Sequence, residues 1–212
     1  MSPSMCMRAL VAATLAVIMV IPLRVEAGEA SADFVAEYAA LCGAPARDSF
    51  SKLVAHAEGL GWVKVERTSN AELHALMQLS DKGIAEGKAE GYVTGASNAT
   101  LTKMVGGRPL HFVATHLRSN ILNMVGCYLY DFEATAPVDP AAVTRLLGIE
   151  PAYTRDLGSI TTTVWGPSPN IPGTLDTHLT FVPPRSPAVA KVGFDGVMLK
   201  VSVGAPKGNG GE

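Results

Sequence analysis

Residues 108–133 read RPLHFVATHLRSNILNMVGCYLYDFE, with strand-like alternation in both halves and Ser119-Asn120 in the middle. Alternation at this period on either side of a short polar pair is typical of two antiparallel strands joined by a turn. The pattern therefore predicts a long hairpin. A two-residue turn at Ser119-Asn120 would place Arg118 opposite Ile121 and Phe112 opposite Cys127.

The predicted hairpin has two faces of different character. One face is apolar and includes Leu110, Phe112 and Cys127, so we expect it to pack against helices. The opposite face combines aromatic, imidazole and hydroxyl groups, which suit a small-molecule or partner surface. Its members are His111, Thr115, Tyr128 and Tyr130, joined by Thr102 of the preceding strand. The alternative is a half-solvated sheet face, or one that packs under a loop, made of ordinary strand-forming residues.

The first 27 residues have the order of a secretory signal peptide. Arg8 precedes an apolar run from Ala9 to Leu23, and small residues lead to a cleavage position after Ala27. The alternative, a retained membrane anchor, requires roughly 20 apolar residues, and this run is shorter and contains Pro22. We therefore predict export to the periplasm or the extracellular space, with no membrane attachment after cleavage.

Cysteine use points to a disulfide. Cys6 is lost with the signal peptide, which leaves Cys42 and Cys127 in the mature chain. An isolated pair in an oxidising compartment is more often bonded than free. We therefore predict a Cys42–Cys127 disulfide. The alternative is a catalytic Cys127 thiol that is served by His111 or His116.

The chain divides into four segments by its hydrophobic period. After the signal peptide at 1–27, we expect residues 28–66 to form an N-terminal helical segment, 67–204 an α+β domain, and 205–212 a disordered tail. Within the domain, a helix followed by three strands occurs twice. This order predicts a mostly antiparallel sheet of about six strands with helices on one face.

Local signals mark the helix starts. Ser69 followed by Glu72 is typical of a capping box, and Asp139-Pro140 with Gly148 is typical of a short capped helix. The last two strands, near 175–182 and 197–203, alternate between an apolar side and a polar side. The polar side contains Asp176, His178, Lys200 and Ser202.

Charge and motif content narrow the functional classes. The net charge is −2 without a basic stripe, which argues against a nucleic-acid partner. Neither metal-ligand spacing nor a cofactor motif is present. We therefore expect a non-enzymatic exported binding or accessory protein for an unknown small molecule or envelope protein. The alternatives are a small exported hydrolase that uses His111 or Cys127, and a structural envelope component.

Overall fold

A computed structural model describes residues 27–43 and 45–205 of the chain. The predicted signal peptide with Cys6, and the predicted tail at 205–212, lie outside these residues apart from Ala27 and Ala205 at their boundaries. The helices are α1 (Ala27–Cys42), a 3-10 helix (Pro45–Asp48), α2 (Phe50–Gly59), α3 (Ala71–Ala89), α4 (Pro140–Leu147) and α5 (Val189–Val192). The strands are β1 (Val63–Lys64), β2 (Val93–Val105), β3 (Arg108–Ser119), β4 (Asn123–Asp131), β5 (Tyr153–Asp156), β6 (Thr161–Trp165), β7 (Thr174–Val182) and β8 (Gly196–Ala205).

The strands of the described part form one open antiparallel sheet in the order β1-β2-β3-β4-β8-β7-β6-β5. Two meanders, β2-β3-β4 and β6-β7-β8, meet where β4 pairs with β8. The α+β class is confirmed, but the predicted count of about six strands is too low. The extra strands are the two edges, β1 and β5, which are two and four residues long and exposed. A strand of four residues such as β5 is too short to show a readable alternation.

Helices cover both faces of the sheet, so the prediction of helices on one face is wrong. Helices α1, α2 and α4 pack on the face that contains Phe112 and Leu129. Helix α3 packs on the opposite face, where Leu73 and Met77 meet Val113. The face expected to be polar also contains Val113, which is apolar. The apolar stripe of α3 becomes buried by packing against this residue.

The hairpin of β3 and β4 has a register two residues away from the predicted one. Phe112 pairs with Leu129, and Ala114 pairs with Cys127. The turn is longer than two residues because the Ser119 hydroxyl accepts from the Leu122 amide (2.8 Å) and donates to the Leu122 carbonyl (2.6 Å). A shift by an even number of residues leaves each side chain on its predicted face.

The predicted disulfide is confirmed. Cys42 at the end of α1 is bonded to Cys127 in β4, across a sequence separation of 85 residues and with 5.8 Å between the Cα atoms. Both cysteines are buried in the core between the helices and the sheet. The bond therefore ties the N-terminal segment to the middle of the sheet.

Two helix starts test the capping signals. Asp139 caps α4 by accepting from the Ala141 amide (2.9 Å), and Gly148 ends the helix in the left-handed conformation, as predicted. Helix α3 begins one residue later than the capping box indicated, because Asn70 instead of Ser69 accepts from the Leu73 amide (2.9 Å). Asparagine caps at least as well as serine, so two adjacent candidates could not be ranked from propensity.

Candidate binding groove

A groove of about 250 Å³ lies between the second half of α3 and strands β2, β3, β4 and β8. We call it the α3 groove. Its apolar wall includes Ile84, Leu117 and Met124, and its floor includes Thr115 and Tyr128. The combination of apolar side chains with a few hydroxyl groups is the usual composition of a small-molecule site.

Helix α3 is held against the sheet at two places and leaves the groove beneath its later turns. In its first half, Leu73 and Met77 are 0% and 2% exposed. Near its end, Gly87 allows close contact with Val93 of β2, because a Cβ at this position would overlap the Val93 side chain. Between these contacts Ile84 is only half-buried and faces the groove. The helix therefore acts as a fixed wall.

Tyr128 lies across Gly126 at the floor of the groove. A Cβ at Gly126 would overlap both the Tyr128 ring and the Thr115 hydroxyl, so only glycine leaves room for this ring position. The pKa of Tyr128 is raised, mainly because burial disfavours the charged phenolate. Hydrogen bonding with Thr115 and Ser202 partly offsets this rise, and the Asp176 carboxylate adds to it. The Tyr128 ring therefore lines the groove together with Thr115 of β3 and Ser202 of β8.

An aromatic row continues from the groove along β4. Tyr128 stacks on Tyr130 with 6.5 Å between ring centroids and 5° between planes. Tyr130 then contacts Phe132 and Phe194, each at 5.4 Å, and is 3% exposed. His111 lies 4.9 Å from Phe132. Tyr130 is therefore part of the apolar cluster between α3 and the sheet, and His111 is buried against Phe132. Tyr128 is the half-buried member of the row that lines the groove.

His111 and Thr102 lie away from the groove. His111 is 6% exposed, and burial lowers its pKa while the carboxylates of Glu72 and Glu133 oppose that shift. Its Nδ1 atom has no hydrogen-bond partner, and within the described residues no carboxylate is hydrogen-bonded to it. The Thr102 hydroxyl donates to the Leu110 carbonyl (2.9 Å). Of the five residues predicted for this face, the structure brings Thr115 and Tyr128 together at the groove.

A polar extension of the groove was absent from the predicted site. Lys200 in β8 is directly opposite Tyr128 on one side and His178 on the other. His178 Nε2 lies 2.7 Å from Asp176 Oδ2, and Ser202 lines the groove itself. The alternation in the sequence placed these four residues on one polar side. Their proximity to Tyr128 depends on the β4–β8 pairing, for which no local signal exists.

The described part of the chain was compared with three catalytic arrangements: a cysteine nucleophile, a serine activated by histidine, and a metal centre. Cys127 is bonded to Cys42 and is not a free thiol in this structure. His178 contacts Asp176, but no hydrogen bond joins His178 to Ser202, so these groups do not form an activated serine. Within residues 27–43 and 45–205, no group of three or more His, Cys, Asp or Glu side chains is placed to hold a metal ion.

Comparison of the chain with protein-family models, curated proteins and solved structures finds no match. Among the residues that the structure describes, no helix has the length and apolar character needed to cross a membrane. The fold and the groove define a class in structural terms: an α+β protein with an open antiparallel sheet and one partly open groove under α3.

Proposed function

We propose that this chain is an exported, non-enzymatic binding protein that holds a small molecule in the α3 groove. The observation that carries the proposal is the floor of the groove, where Tyr128 lies over Gly126 beside Thr115. A tyrosine face offers apolar contact area, and its hydroxyl offers a hydrogen bond. Ile84 of α3 and Met124 of β4 add apolar side chains to the lining of the groove.

The size of the groove favours a small ligand over a protein segment. Its volume of about 250 Å³ is slightly below the range of roughly 300–1,000 Å³ that is typical of small-molecule sites. A fused two-ring body fits this scale. Because α3 is anchored on both sides of the groove, we expect the site to be largely preformed, which reduces the entropic cost of binding.

The disulfide is consistent with the export that this proposal includes. The Cys42–Cys127 disulfide is compatible with the periplasm or the extracellular space, because such bonds persist in oxidising compartments. We therefore propose that the protein meets its ligand in the cell envelope or outside the cell.

The neutral dye N-phenyl-1-naphthylamine tests the groove, because its fluorescence rises when its aromatic rings leave water. We expect saturable binding to the wild-type protein. Replacing Ile84 with tryptophan should fill the groove from the helix side and weaken binding at least about tenfold, which corresponds to about 1.4 kcal/mol. Ala85→Trp is the matched control, since Ala85 is exposed on the same helix.

Circular dichroism should first show that Ile84→Trp and Ala85→Trp are both folded, so that a change in dye affinity can be assigned to the groove. Binding that is lost in Ile84→Trp and retained in Ala85→Trp supports the α3 groove as the site. Absence of saturable binding to the wild type, or equal affinity in the two variants, contradicts the proposal.

A further inference from the structure

We propose that the ligand of the α3 groove is an amphiphilic anion, whose apolar body lies in the groove and whose charged group is held by Lys200. This inference rests on the proposed function and adds the chemical class of the ligand. The anionic group is a carboxylate, sulfonate or phosphate, each of which accepts a hydrogen bond from an ammonium group.

The position of Lys200 relative to the groove follows from the strand register. Lys200 is the direct partner of Tyr128 across β4 and β8. Directly opposed residues in antiparallel strands lie about 4.5–5.5 Å apart and point to the same face. Ser202 is two residues further along the same strand, so it also shares this face, and it lines the groove. The Lys200 side chain therefore projects from the sheet beside the floor of the groove.

Lys200 is unusual among the lysines that the structure describes. All of them are exposed except Lys103 and Lys200, which are half-buried. Lys103 is paired with Glu37, with 2.8 Å between Nζ and Oε1. Within the described residues, neither a salt bridge nor a hydrogen bond engages the ammonium group of Lys200. Among the described lysines, Lys200 is thus the half-buried one that lacks a salt-bridge partner.

The nearby carboxylate of Asp176 does not form a salt bridge with Lys200 in the part of the chain that the structure describes. Asp176 lies on the same face, but its Oδ2 is 2.7 Å from His178 Nε2. A partly desolvated cation without a partner is unfavourable, and a bound anion would relieve that cost. Tyr128, the cross-strand partner of Lys200, and Ser202 both line the groove on the same face of the sheet, so their hydroxyl groups can donate to the same anionic group.

Two dyes that differ by one sulfonate measure the contribution of the anionic group to the affinity separately from that of the apolar rings. 1-Anilinonaphthalene-8-sulfonate has the same ring skeleton as N-phenyl-1-naphthylamine and adds one sulfonate. We expect the wild-type protein to bind the sulfonated dye about tenfold more tightly than the neutral dye. Lys200→Met keeps the apolar stem and removes the charge, so it should remove this preference and change the affinity for the neutral dye less than about twofold.

Three further measurements keep the test independent of one variant. Lys200→Arg should retain the preference for the sulfonated dye, and Lys191→Met, at an exposed lysine in α5, should leave both affinities unchanged. In the wild type, raising the ionic strength from about 0.02 M to about 0.5 M should weaken binding of the sulfonated dye alone, because salt screens the charge interaction.

The outcomes distinguish this inference from the proposed function. If both dyes bind with equal affinity and neither Lys200→Met nor salt alters the ratio, the anionic class is refuted while the groove remains the site. If neither dye shows saturable binding, or if Ile84→Trp affects neither, both the groove and the anionic class are refuted.

Discussion

Reduction of the Cys42–Cys127 disulfide should lower the free energy of unfolding by about 4.6 kcal/mol at 25 °C. The bond closes a segment with a sequence separation of 85 residues. In the chain-entropy relation, a loop of this length removes about 15 cal/mol/K from the unfolded state, which gives the stated value. The cysteines are 0% and 1% exposed, so the reductant should reach them mainly through unfolded molecules.

Urea unfolding of oxidised and reduced protein measures this difference directly. Trp62 and Trp165, the two tryptophans of the chain, are 2% and 0% exposed, so their fluorescence should report global unfolding. A doubly substituted Cys42→Ala, Cys127→Ala protein, measured without reductant, controls for the chemistry of the reductant. The oxidised protein should also show a smaller dependence on urea concentration, since a cross-linked unfolded chain exposes less surface.

The difference in unfolding free energy between the oxidised and the reduced protein tests the loop-closure account. A reduced protein that stays within about 1 kcal/mol of the oxidised protein would refute the loop-closure account. In that case the packing of Phe34, Tyr38 and Leu41 of α1, each at most 1% exposed, would be sufficient to hold the N-terminal segment on the sheet.

Two further predictions concern His111 and the cap of α4. Burial lowers the pKa of His111 below 6.5, so its stabilising contribution is present above pH 6.5 and is lost as the pH falls through the folded-state pKa. Because His111→Gln removes this titration, the variant should lose less stability than the wild type between about pH 7.5 and pH 5.5, as measured by urea unfolding. His74→Gln, at an exposed histidine, is the control. Identical pH profiles would contradict this assignment. Asp139→Ala should lower the free energy of unfolding by about 1 kcal/mol, because it removes the acceptor for the Ala141 amide, whereas Asp139→Asn should have little effect. Equal losses in these two variants would show that the cap does not act through this hydrogen bond.

Several features could be predicted because their causes are local. The alternation along residues 108–133 assigned each side chain to its face, and that assignment survived a change of register. Asp139, Pro140 and Gly148 marked the limits of α4 through backbone preferences that act within a few residues. The disulfide could be predicted because removal of a signal peptide would leave one pair of cysteines.

The candidate site could be predicted only in part. The sequence placed Thr115 and Tyr128 with His111 and Tyr130 on one face. It could not show that Phe132 contacts both His111 and Tyr130 and that Phe194 also contacts Tyr130, so that both are buried. Burial of a strand face depends on which helix packs on it. The apolar stripe of α3 is compatible with either face of the sheet.

Local pattern therefore determined the periodicity, the helix caps and the two faces of the central hairpin. Tertiary structure decided which faces were covered and which strands became neighbours. Tyr128 and Lys200 lie 72 residues apart in the chain and face each other because β4 pairs with β8. Strand alternation specifies a side of the sheet but does not specify a partner strand, since pairing is selected by burial over the whole molecule. The α3 groove and its half-buried lysine arise from that long-range selection.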